Sequence, residues 1–167
     1  MRLRLFFRTE FLGVSAPCLE RFWLKGIPFP NAPRLLLSTR DPVYPVLENI
    51  PDSGYFSPEA MITALSTCTK LEVFLFGFIG NPHPDLTSQE IASLAPISLP
   101  ALSCFLFEGH GKYFHDFNSR VRNPLFPAQE SNFDMNKRVY FEAFFTPTGY
   151  TLHYRDVSLL DPVPVEE

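Results

Sequence analysis

The chain has 167 residues, 46% of them hydrophobic and 19% charged. That length and composition suit one globular domain with its own core and exclude a disordered chain. The net charge is −4, with no block of basic residues, which argues against nucleic acid as a partner. No apolar run approaches the roughly 18 residues of a membrane span. The 17 prolines and 18 phenylalanines exclude a fold of long helices, because a proline inside a helix costs about 3 kcal/mol. Short elements joined by many turns are expected.

Charge is unevenly spread. Residues 1–40 hold seven basic and two acidic side chains, so the remainder carries a net −9. A normally solvated surface accounts for this. Cys18, Cys68 and Cys104 are far apart and form no C-x-x-C pair. They read as free thiols of an intracellular protein, cytoplasmic or nuclear. At the N-terminus, Arg8 and Glu10 interrupt the apolar run of Leu3 to Phe7 before it reaches signal-peptide length, so secretion is not expected.

A repeat runs along the chain. Leu19-Glu20-Arg21-Phe22-Trp23-Leu24, Leu71-Glu72-Val73-Phe74-Leu75-Phe76 and Leu102-Ser103-Cys104-Phe105-Leu106-Phe107 share the pattern L-x-x-F-x-[LF]. Alternation on a short strand sends residues 4 and 6 of each unit inward. The gap between the first two units leaves room for another, Pro42-Val43-Tyr44-Pro45-Val46-Leu47, whose tail Leu47-Glu48-Asn49-Ile50-Pro51 parallels Leu24-Lys25-Gly26-Ile27-Pro28. Prolines at 42 and 45 mark that copy as a damaged strand.

Helices are expected between the strands. Ser57-Pro58-Glu59-Ala60 is a helix start, with a serine N-cap, proline at N1 and an early acid; Met61, Ile62 and Leu65 then give an apolar face to about Thr67. Thr87-Ser88-Gln89-Glu90 is a capping box ahead of Ile91 and Leu94. Tyr113, Phe114, Phe117 and Val121 recur at helical spacing over residues 111–122. Units this small cannot bury their own apolar faces and must stack. Farther on, Arg138 to Phe145 reads as a strand, Thr148-Gly149-Tyr150 as a turn, and Tyr150 to Tyr154 as the returning strand of a hairpin. The expectation is an α/β fold: a short irregular leucine-rich-repeat solenoid of strand-loop-helix units with a parallel sheet over residues 1–126, a divergent hairpin segment over 127–160, and an acidic, proline-rich tail over 161–167.

No catalytic constellation emerges. The hydrolase elbow G-x-S-x-G is absent. Gly109-His110-Gly111-Lys112 resembles a phosphate loop, but Leu106 and Tyr113 stand where that loop needs glycine and a hydroxyl residue. His110, His115 and Asp116 are a thin basis for a metal site, and a polar helix start explains them as well. No catalytic, cofactor-binding or metal-ligating residue is assigned, and the chain does not read as an enzyme.

The stretches Phe11 to Pro17, Gly26 to Pro30, Pro33 to Ser38, Asn49 to Met61 and Leu99 to Gly109, with Tyr113 to Pro124, resemble the repeat region of fungal F-box/leucine-rich-repeat proteins. The resemblance covers roughly residues 11–126. Its most specific part is Ile50-Pro51-Asp52-Ser53-Gly54-Tyr55-Phe56-Ser57-Pro58-Glu59-Ala60-Met61. It implies a solenoid that recruits substrate proteins to a cullin-type ubiquitin ligase. The family's F-box has no counterpart here, so adaptor binding is not carried over, and a truncated family member without retained function stays open.

Repeat geometry sharpens the expected surface. Positions 3 and 5 of each unit point away from the core. In this chain they are Arg21, Tyr44, Val73 and Cys104, and Trp23, Val46, Leu75 and Leu106. Outward positions on an exposed strand are normally polar, so largely apolar columns point to a protein-binding patch built on Arg21, Trp23, Tyr44, Val46, Val73, Leu75 and Leu106. A sheet covered on both faces would read the same way. The expected partner is another protein, with no cofactor, nucleic acid or membrane. A small-molecule or lipid carrier with a phenylalanine-lined cavity is the alternative.

Overall fold

The computed structural model describes residues 18–80, 95–122 and 135–157. The expectations for the first ten residues, the capping box at Thr87 and the tail at 161–167 lie outside them. Six strands form one sheet in chain order: β1 (Arg21–Lys25), β2 (Tyr44–Ile50), β3 (Val73–Phe78), β4 (Cys104–His110), β5 (Arg138–Thr146) and β6 (Gly149–Asp156). β1 to β4 are parallel. β5 and β6 continue the sheet antiparallel, so the sheet is mixed, and the C-terminal hairpin is part of it.

Three helices occur among the described residues: α1 (Ala32–Ser38), α2 (Pro58–Leu65) and α3 (Gly111–Asn118). In α2 the Ser57 hydroxyl accepts from the Ala60 N–H at 3.3 Å and proline occupies the first turn, as its sequence dictates. α3 ends at Asn118, short of the expected Arg122, and the chain leaves it as a parallel bridge from Val121 to Ile97. The imidazole Nδ1 of buried His110 accepts from the Lys112 N–H at 3.2 Å and caps α3. α1 has no counterpart in the sequence expectations.

One hydrogen-bond device repeats at the entry of each parallel strand. The Glu20 carbonyl accepts from the Val43 and Tyr44 N–H groups at 2.9 and 3.0 Å; the Val43 carbonyl accepts from Glu72 and Val73, both at 3.1 Å; the Glu72 carbonyl accepts from Ser103 and Cys104 at 2.7 and 3.1 Å. Acceptor and donors hold the same positions of the L-x-x-F-x-[LF] unit each time. The repeat is therefore a structural register, not only a composition.

Strand β2 forms despite Pro45, and Pro42 lies ahead of it. The Tyr44 N–H is directed at β1, and the Val43 carbonyl at β3. By alternation, the donor that Pro45 lacks is one aimed at β3. The cost is local: the β2–β3 register starts at Val46↔Leu75 and shifts between Leu47 and Ile50, near Asn49, which adopts φ 54°.

The helices cover one face of the sheet. There the rows Leu24↔Leu47↔Phe76↔Phe107↔Phe141 and Phe22↔Pro45, with Phe105↔Ala143, meet Leu36, Met61, Ile62, Leu65, Phe114 and Phe117. Phenylalanine replaces leucine toward β4, and the rings fill the interior by contacting one another. Phe105 stacks on Phe117 at 5.7 Å, Phe107 on Tyr113 at 5.6 Å, and Phe114 meets Phe141 at 4.4 Å between centroids. Such pairs add about 0.5–1.5 kcal/mol each beyond area burial.

The segment from Ile50 to Met61 links two units. Ile50 is buried, Asp52–Gly54 form a 3-10 turn, Tyr55 and Phe56 contact the Phe78 ring at 5.6 and 5.2 Å, and Ser57 caps α2. Gly54 packs directly on the preceding unit: a Cβ there would lie 2.8 Å from both the Phe29 nitrogen and the Pro28 Cα. Arg138 fastens β5 to the parallel part of the sheet, donating to the Phe78 carbonyl at 2.9 Å, to the Ile79 carbonyl, and to Glu108 Oε1 at 2.7 Å.

Candidate interaction face

The other face of the sheet has no helix packed on it among the described residues. Its side chains form rows that cross all six strands. Trp23 pairs with Val46, Val46 with Leu75, Leu75 with Leu106, Leu106 with Glu142, and Glu142 with His153. One row below, Arg21 pairs with Tyr44, Val73 with Cys104, Cys104 with Phe144 and Phe144 with Thr151. All seven residues singled out from the repeat pattern therefore share one face, in the expected columns. The apolar surface is open at its flanks: Trp23 is 56% exposed, Tyr44 40% and Phe144 41%. Arg21 is also exposed, while Val73, Leu75 and Leu106 are half-buried. Val46, set between the larger Trp23, Tyr44 and Leu75, is only 4% exposed. It contributes shape and little contact area.

Repeat reasoning missed Phe144 and Glu142, because both lie on β5, where the pattern has ended. The signal that finds them is strand alternation in Arg138 to Phe145 once that strand is known to pair with β4. Charges bound the apolar rows on the side of the strand ends. Lys25 Nζ meets Glu48 Oε2 at 3.3 Å and Arg138 meets Glu108 at 2.7 Å, so these ions neutralise each other in pairs. The exposed Lys25 pair contributes little to stability, and the two pairs together form a polar rim. Within the rim, partial burial and then the Glu142 carboxylate raise the Cys104 thiol above its ordinary pKa. The same two causes, in the same order, raise the Tyr140 hydroxyl. A thiol shifted upward stays neutral at physiological pH and is a poor nucleophile, so Cys104 acts on this face as a small apolar contact.

The polar side chains at the start and along α3 have structural roles. His110 serves as a buried cap, His115 sits on α3, and Asp116 is held by Lys112 Nζ at 2.8 Å. Among the described residues no group of three or more His, Cys, Asp and Glu side chains is arranged to hold a metal ion. No helix among them is long and apolar enough to cross a membrane. The chain matches no protein-family model, and neither a curated protein nor a solved structure matches it.

Proposed function

We propose that this chain is a noncatalytic protein-interaction module that binds another protein through the open face of its sheet. The observation that carries the reading is the in-register row Trp23, Val46, Leu75 and Leu106, flanked by exposed Tyr44 and Phe144. A sheet that faces only water has no use for apolar side chains at these positions, whereas a desolvated aromatic and aliphatic patch inside a polar rim is how protein interfaces are built. The recurring strand-entry hydrogen bonds support a short leucine-rich-repeat solenoid, with the antiparallel hairpin as its terminal cap. The resemblance to the repeat region of F-box proteins supports a ubiquitination substrate as the bound protein. The carrier alternative is disfavoured, since the phenylalanines that would line its cavity pack against one another.

The test is affinity capture with the native chain and with the Trp23→Asp, Leu75→Asp double variant. The reading expects a partner retained by the native chain and lost by the variant, with circular dichroism unchanged. A partner retained equally by both contradicts it. Loss of circular dichroism in the variant would mean that the face is buried in the folded protein. Cullin-ligase components among the captured proteins support the ligase assignment, and their absence from a specific complex removes it.

A further inference from the structure

The apolar row of the open face ends on a charge. Leu106 pairs with Glu142 across β4 and β5, and the Glu142 side chain is half-buried. Two other carboxylates on these strands are neutralised, Glu48 by Lys25 at 3.3 Å and Glu108 by Arg138 at 2.7 Å. Glu142 forms no ion pair among the described residues. Its neighbours on β6, His153 directly opposite and Arg155 one diagonal away, are exposed, and neither lies within ion-pair distance of it. Arg21 is at the far side of the sheet on β1. The Tyr140 hydroxyl donates to Glu142, which leaves the negative charge in place. That charge reaches its surroundings: after burial, it is the next cause that raises the Cys104 thiol and the Tyr140 hydroxyl. A partner that covers Leu75 and Leu106 must also take water from Glu142. Desolvating a carboxylate is strongly unfavourable unless a cation or donor replaces the water. The partner's surface therefore has to carry a positive side chain beside its apolar ones.

The row has a spacing as well as a charge. Strands lie about 4.8 Å apart and an α-helix advances about 5.4 Å per turn, so a helix laid across the strands drops one side chain per turn onto each. Trp23 on β1 and Glu142 on β5 are four strand steps apart, about 19 Å or about 13 residues of helix. Val46 is 4% exposed beside a 56% exposed Trp23, a low point in the row that suits a large apolar side chain. We propose that the partner docks on this face as an amphipathic helix crossing the strands, with its apolar stripe over Val46, Leu75 and Leu106 and an arginine or lysine paired with Glu142. Arginine suits the position better, because its planar fork matches a carboxylate and it is less strongly hydrated than lysine. The proposal rests on the reading of this face as an interaction surface and adds the chemistry of what it binds.

A displayed library of amphipathic helical peptides, apolar on one stripe and randomised elsewhere, tests it by selection on the native chain. The selected peptides are expected to carry arginine or lysine at one end of the stripe. Glu142→Gln is expected to weaken them by about tenfold or more. Glu142→Lys is expected to abolish binding, and replacing the peptide's basic residue by glutamate should restore it. Circular dichroism checks each variant; should Glu142→Lys not fold, Glu142→Gln carries the test. Peptides that need Trp23 and Leu75 but carry no cation, or bind Glu142→Gln as well as the native chain, overturn this proposal and leave the interaction face standing. A library that yields no peptide sensitive to the Trp23→Asp, Leu75→Asp double variant overturns both.

Discussion

Trp23 and Leu75 stand on either side of Val46 in one row across β1, β2 and β3, the indole open at the sheet's edge and the leucine half-buried near its middle. Stability and binding should therefore separate at these two positions. Trp23→Ala is expected to change folding stability by no more than about 0.5 kcal/mol, as for other surface substitutions. Leu75→Ala should cost about 1–2 kcal/mol, less than the 2–5 kcal/mol of a fully buried leucine. Urea denaturation measures both, and a larger loss for Trp23→Ala would mean that the indole is buried in solution.

Gly54 seats the turn before α2 against Pro28 and Phe29 of the preceding unit. A methyl group there meets backbone atoms at 2.8 Å, and backbone cannot swing aside as a flexible side chain can. Gly54→Ala is expected to destabilise by about 1–3 kcal/mol, the usual cost of overpacking. Thr63→Ala, on the exposed side of α2, serves as the near-neutral control in the same thermal melts.

The Tyr113 ring is fully buried against Phe76, Phe78 and Phe107, but its hydroxyl has no hydrogen-bond partner among the described residues. Tyr113→Phe keeps the ring and removes a desolvated polar atom, so it is expected to be neutral or to stabilise by up to about 1 kcal/mol. Tyr113→Ala is expected to cost about 3–5 kcal/mol. A destabilising Tyr113→Phe would show that the hydroxyl is bonded in solution.

Burial pushes the Cys68 thiol up to about 11, against a smaller lowering by Thr67. Burial, followed by Tyr55 and Glu59, raises Tyr113 in the same direction. Each group holds its proton more tightly folded than unfolded. The stability this gives is complete below the unfolded thiol's pKa and is lost as pH rises toward the folded one. Loss on the order of 2 kcal/mol is expected from Cys68 between pH 9 and 11. Cys68→Ala should flatten that slope in urea titrations across the range, and an unchanged slope would place the alkaline loss elsewhere.

The columns of the sheet were legible because L-x-x-F-x-[LF] fixes both register and facing, and Trp23, Val46, Leu75 and Leu106 fall in line as the spacing requires. The Ser57 cap was legible for the same reason: its chemistry is local. Other features depend on what lies beside them in space. Pro45 looks like damage in sequence, but its missing donor disturbs only the β2–β3 side. Helix α1 escaped notice because seven residues, Ala32–Ser38, with Leu35, Leu36 and Leu37 in succession, carry no clear helical period. That β5 adds to the repeat sheet, bringing Phe144 beside Cys104 and Glu142 beside Leu106, has no local signature at all. The burial of Val46 likewise reflects the size of its neighbours and not its own position in the repeat.

The central claim is that the protein meets its partner through the face carrying Leu75 and Leu106. Site-specific photo-crosslinking in the cells that make the protein tests it most directly, with a benzophenone side chain placed at position 106 or, on the helical side, at position 63. The account predicts a discrete protein adduct from position 106 and none from position 63. Adducts from position 63 alone, or equally from both, would contradict it.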